Sequence, residues 1–131
     1  METMMNISER AFRTLLDKHP LLCASGLSDP GVCETPGLDF DAERHRLESA
    51  YDEFSLCCDW LLECTPLKHV SFVSPVSNAL VLRVGEYFGS AVSHGALVAA
   101  VLYLRIPHHH LPDSPNLKVG ISLRSPTLVE D

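Results

Sequence analysis

A chain of 131 residues with 46% apolar and 21% charged residues fits one domain with a core of its own, and this balance excludes wholesale disorder. The net charge of −7, from 10 Lys and Arg against 17 Asp and Glu, repels phosphate backbones and anionic lipid. It argues against direct nucleic-acid binding and against a membrane surface, and the Lys and Arg residues are too scattered along the chain to suggest a basic patch that would reverse the field.

The start, Met1-Glu2-Thr3-Met4-Met5, has neither the basic cap nor the apolar stretch of a signal peptide, and the five cysteines (Cys23, Cys33, Cys57, Cys58, Cys64) give an odd count. Both point to a reducing cytoplasm. Asn6 with Glu9 three residues on has the form of a capping box, and Ile7, Ala11 and Leu15 follow at helical spacing, which predicts a first helix near residues 7–18. From Pro20 to Leu38 the composition turns to Pro, Gly, Ser and Cys, a long loop over 20–38 that packs across the surface or contributes to binding.

The next segment carries most of the charge. Between Asp39 and Glu63 stand eight acidic residues against Arg44 and Arg46. Leu47, Tyr51, Phe54, Cys58 and Leu61 recur at steps of four and three, the seam of an amphipathic helix, and Glu48, Asp52, Asp59 and Glu63 lie one position further round. The pattern predicts one unbroken helix of about 24 residues, roughly 36 Å long, capped by Asp39 or Asp41 and ended before Pro66.

Leu67 to Val73 reads as a short strand. Ser74-Pro75 reads as the start of a third helix carrying Val76, Leu80, Val84, Tyr87 and Phe88 to a stop at Gly89. Ser93 then caps a fourth helix through Leu104 that is apolar all round and therefore central; its apolar run is too short to span a bilayer. Leu117, Val119, Ile121 and Leu123 alternate with polar residues as one strand, with Lys68–Val73 the expected partner. The fold expected is mostly α: a single domain over 1–131, a compact bundle of about four helices with a short two-strand β element near the C-terminus.

In the cluster His108-His109-His110 with Asp113, at most His108, His110 and Asp113 could converge on a metal, and without a paired Cys or His motif they read as a solvated loop. No metal and no cofactor is expected. Cys57, Cys58 and Cys64 fall on or beside the apolar seam, where a thiolate is disfavoured. Cys23 and Cys33 lie in the long loop, with His19 four residues before Cys23 as an open pairing, but no recognised nucleophile signature surrounds them, and the chain is read as a binding protein, not an enzyme. Helix, Gly-centred turn and helix over 75–104 suggest a helix-turn-helix, but the second helix offers Ala, Leu, Val and Tyr where base edges need Arg, Lys, Asn or Gln.

The segments Cys58-Asp59-Trp60-Leu61-Leu62, Thr65-Pro66-Leu67-Lys68, Glu86-Tyr87-Phe88-Gly89, Val92-Ser93-His94-Gly95-Ala96-Leu97-Val98-Ala99-Ala100 and Ser114-Pro115-Asn116 resemble a group of small proteins carried by bacterial mobile elements and phages. The resemblance covers about the C-terminal half, with His94 standing where that group carries Asn. It implies a bacterial host cell and the setting in which small acidic proteins, anti-CRISPR proteins among them, disable host defence complexes. The expected partner is a host protein or ribonucleoprotein with a basic groove, met by Asp41, Glu43, Glu48, Asp52, Asp59 and Glu63. A small helix-turn-helix-like DNA-binding accessory of the mobile element is the alternative, and a homodimer through the apolar seam remains open.

Overall fold

The computed structural model describes residues 8–27, 40–64, 67–70, 74–111, 114 and 116–122. The chain is mostly helical, with an antiparallel two-strand ribbon near its C-terminal end. Helix α1 spans Glu9–Lys18 and buries Phe12, Leu15 and Leu16. Its cap is Ser8, whose Oγ accepts the Ala11 amide at 3.1 Å; the expected box at Asn6, and Ile7, lie outside the described residues.

The first part of the Pro/Gly-rich loop is structured. Leu22–Cys23 (β1) and Gly26–Leu27 (β2) form a minimal hairpin, and Leu22, Cys23 and Ala24 are core residues; 28–39, with Cys33, are outside the described residues. The acidic segment is two helices, not one: α2, Phe40–Glu48, and α3, Tyr51–Leu62. Ser49 Oγ donates back to His45 O at 3.4 Å, a contact that loosens a helix, and Ala50 leaves the helical region at φ −104°, ψ 33°. The halves also answer to different neighbours. Ala24 donates its amide to Glu43 O at 3.1 Å, binding α2 to the β1–β2 turn, while α3 packs chiefly on α5, the helix over His94–Tyr103.

The predicted seam survives this break, since Leu47, Phe54, Cys58 and Leu61 are all buried and Tyr51 packs against the core. Intramolecular burial leaves that seam unavailable to a second copy. Phe12 stacks on Phe54 at 4.6 Å and Tyr103 meets Phe54 edge-on at 5.7 Å. Burying each ring contributes about 2–3 kcal/mol, with roughly 0.5–1.5 more per ring pair.

Helix α4, Ser77–Phe88, ends at Gly89 with φ 68°, as its sequence requires, but starts later than Ser74-Pro75 suggests. Pro75 and Val76 are taken up by the ribbon instead: Val119 donates to Pro75 O at 2.9 Å and Val76 bridges Lys118. Helix α5 is capped by Ser93 and encloses Gly95 through Val101 in the core, the central place its all-apolar sequence demands. No side of a helix so enclosed is free to enter a DNA groove.

The ribbon pairs His108–His110 (β3) with Leu117–Val119 (β4). Lys68–Val73 does not supply the partner among the described residues: Leu67 donates its amide to Gly120 O at 2.8 Å, 68–70 form no strand, and 71–73 lie outside the described residues. A short loop joins β3 to β4, so this pairing closes at far less entropic cost than one with residue 68.

Candidate functional site

Helix α3 buries Phe54, Cys57, Cys58, Trp60 and Leu61 against the core. At 100° per residue Asp52, Asp59 and Glu63 fall within about 40° of one another on the opposite side. Asp52 and Glu63 are exposed, whereas Asp59 is half-buried with its Oδ1 shielded from solvent. Leu62 is 41% exposed, and Tyr87 of α4, 51% exposed, donates its hydroxyl to Glu63 Oε1 at 3.2 Å. The Glu63 charge pushes the Tyr87 phenol up from its usual 10.0. The outer face of α3 is thus a row of carboxylates edged by an exposed aromatic and an exposed leucine.

The other three expected carboxylates do not join it. Asp41, Glu43 and Glu48 sit on α2, beyond the bend at Ala50. Glu43 accepts from Arg46 at 3.0 Å and from Ser25 Oγ at 2.8 Å, and Glu48 lies 3.5 Å from Arg44 Nε. Asp41 alone of the three falls among the exposed residues. Glu53, also on α3, is turned inward: its Oε1 accepts the Ser93 amide at 2.6 Å, placing negative charge at the N-terminus of α5.

A second polar constellation was not legible as such in the sequence. His94 Nδ1 is 2.8 Å from Ser25 O, and a carbonyl only accepts, so Nδ1 carries the proton and Nε2 accepts from Ser77 Oγ at 2.7 Å. Ser77 Oγ in turn accepts the Leu117 amide at 2.9 Å, and Asn116 Oδ1 accepts the Asn78 amide at 3.1 Å. A serine on an oriented histidine has the composition of an activated nucleophile. Here Ser77 is 0% exposed and its oxygen faces the Leu117 amide, so no substrate carbon reaches it. The group acts as a latch that ties the β1–β2 turn, α4, α5 and β4 together. His94 and Asn116 fall within the segments that carry the sequence resemblance; their convergence joins residues far apart in the chain.

Burial holds the His94 imidazole below its usual 6.5, against an opposing pull from the Ser25 carbonyl, and His19 is lowered too, by burial and by the charges of His108, Lys18 and Arg44. A folded pKa below the unfolded one means the unfolded chain takes up the proton first. This part of the stability is complete above about pH 6.5 and is lost as the pH falls below it. The urea midpoint is therefore expected to drop from pH 7 to 5.5, with a smaller drop in His94→Gln, where only His19 remains of the pair. An equal drop in wild type and variant would remove His94 from the account.

Cys23, Cys57, Cys58 and Cys64 are buried free thiols; burial pushes Cys58 up to about 12, the Asp59 charge adding to it, and Cys57 well above its usual value. They behave as small hydrophobes. His108 Nδ1 is 2.9 Å from Ile106 O and His110 Nε2 is 2.6 Å from Ser114 O; Asp113 is outside the described residues, and among those described no three His, Cys, Asp or Glu side chains gather as a metal site would need. No helix among the described residues is long and apolar enough to cross a membrane.

The basic residues are less scattered than the sequence suggests. Arg10, Lys18 and Arg105 line one depression of about 490 Å³ between α1 and the end of α5. No protein-family model, curated protein or solved structure matches the chain.

Proposed function

We infer that this chain is a binding protein and not an enzyme: an inhibitor encoded by a phage or mobile element that sets the outer face of α3 into the basic groove of a host nucleic-acid-binding complex, as an anti-CRISPR protein does. The observation that carries the reading is the shared outward face of Asp52 and Glu63, with the half-buried Asp59 between them, edged by Leu62 and Tyr87. At an interface Tyr87 would be the aromatic anchor that supplies contact area, while the surrounding charges steer and orient the encounter. The surface is smaller than the sequence suggests, since Glu43 is held by Arg46 and Ser25 and Glu48 lies on α2, across the bend at Ala50.

The test is capture from a bacterial lysate with wild type and with Asp52→Lys, Asp59→Lys, Glu63→Lys combined. Wild type is expected to retain a basic ribonucleoprotein or DNA-binding complex and the variant to lose it, with the helical circular dichroism of the two unchanged. An identical catch for both proteins rejects this surface.

A further inference from the structure

Arg105 is the one non-glycine residue with positive φ among the described residues, at 58°. It follows α5 in a Schellman closure: its amide donates to Leu102 O at 3.2 Å and the Ile106 amide to Val101 O at 3.1 Å. Glycine is the relaxed residue at that place, as Gly89 illustrates at the end of α4. A strained arginine persists there at the expense of backbone comfort, and the residue lines the 490 Å³ depression.

Arg10, Thr14 and Lys18 are spaced at i, i+4 and i+8 along α1 and line the same depression, with His19 at its edge. No carboxylate is among the described residues lining it, although the chain carries a net charge of −7. Neither Arg10, Lys18 nor Arg105 forms an ion pair among the described residues, whereas Arg13, Arg44 and Arg46 each do. Cations at helix C-termini are ordinary, and that accounts for Lys18. It accounts neither for Arg10, in the first turn of α1, nor for the left-handed backbone of Arg105. Leu15, Leu102 and Tyr103 give the depression an apolar wall. Its volume suits a small organic ligand better than a bare ion.

We propose that this depression binds a small phosphorylated molecule, its phosphate held by Arg10, Lys18 and Arg105 and its ring or apolar portion laid on Leu102 and Tyr103. The site is separate from the α3 face and stands or falls independently of it. Calorimetric titration with adenosine 5′-monophosphate, inorganic phosphate, adenosine and a 12-nucleotide single strand tests it on the full chain. The monophosphate is expected to bind, adenosine not to, and inorganic phosphate to bind about tenfold more weakly than the monophosphate or worse.

Arg105→Gly and Arg10→Gln are each expected to weaken the monophosphate by about tenfold or more, the loss of one charge-assisted contact. Arg105→Gly is expected to do so with a Tm equal to or above wild type, because it relieves the backbone. The proposal is overturned if neither phosphate probe binds, if both variants bind as wild type, or if Arg105→Gly lowers the Tm, which would make the arginine structural. A single strand bound more than a hundredfold tighter than the monophosphate would overturn it in favour of a nucleic-acid backbone.

Discussion

Gly95→Ala is expected to destabilise the fold by about 2–4 kcal/mol, lowering Tm by roughly 10 °C. A Cβ on residue 95 would stand 2.0 Å from Cys23 O, 2.8 Å from Cys23 C and 3.0 Å from Ala24 Cα. All three obstacles are backbone atoms, so no side-chain rotation makes room. Relief requires the β1–β2 turn to retreat from α5, and the retreat stretches the bonds from the Gly95 amide to Ala24 O at 2.9 Å and from His94 Nδ1 to Ser25 O at 2.8 Å. The gain of about 1 kcal/mol in helix propensity from Gly to Ala opposes this loss but is the smaller effect. Urea denaturation with an unchanged slope and a lower midpoint is the expected result. A variant as stable as wild type would show that the hairpin docks on α5 less tightly than this geometry states.

Arg44→Ala is expected to be equally severe, about 3 kcal/mol, for a reason unrelated to its neighbouring carboxylate. Arg44 Nη1 donates to His19 O at 2.8 Å and Leu22 O at 2.9 Å, and Nη2 to Leu16 O at 2.6 Å. Those carbonyls belong to the end of α1 and the chain leaving it; Leu16 O and His19 O each accept one backbone amide, from His19 at 3.0 Å and Leu22 at 3.1 Å, and the guanidinium fills a second acceptor position on them. The side chain is only 16% exposed, so its removal leaves acceptors that water reaches poorly. The contact with Glu48 at 3.5 Å is long, and Glu48 is 43% exposed, so it contributes little. Glu48→Gln is accordingly expected to change stability by less than about 0.5 kcal/mol. Arg44→Lys is expected to recover only part of the loss, since one ammonium does not reproduce the fork. Equal effects of Arg44→Ala and Glu48→Gln would instead assign the residue to an ion pair.

What the sequence made legible is what short-range chemistry decides. Ser93 and Gly89 are local signals, and they cap and close helices where their types require. The apolar run of α5 demands enclosure wherever it lies, and the seam from Leu47 to Leu61 is buried as its period dictates. Errors arose where distant contacts overrule a local pattern. Nothing in Ser49-Ala50 announces a bend, since Ala is the best helix former; the bend reflects the docking of α2 on β1 and of α3 on α5. The strand partner of Leu117–Val119 is hidden in the sequence because three consecutive histidines carry no strand period, yet proximity in the chain favours them. Half of the acidic row is legible for the same reason that half is not: Asp52, Asp59 and Glu63 share one helix, while Glu43 and Glu48 lie across the bend and meet Arg46 and Arg44. The depression lined by Arg10, Lys18 and Arg105 joins α1 to the end of α5, which no window of sequence contains.

The outer face of α3 is held to occupy the same groove as nucleic acid, and displacement measures that directly. With the captured complex loaded with fluorescently labelled nucleic acid, addition of wild-type protein is expected to lower the anisotropy to that of the free strand. The Asp52→Lys, Asp59→Lys, Glu63→Lys protein is expected to leave it unchanged. Wild-type protein that binds the complex while the strand stays in place would contradict the account.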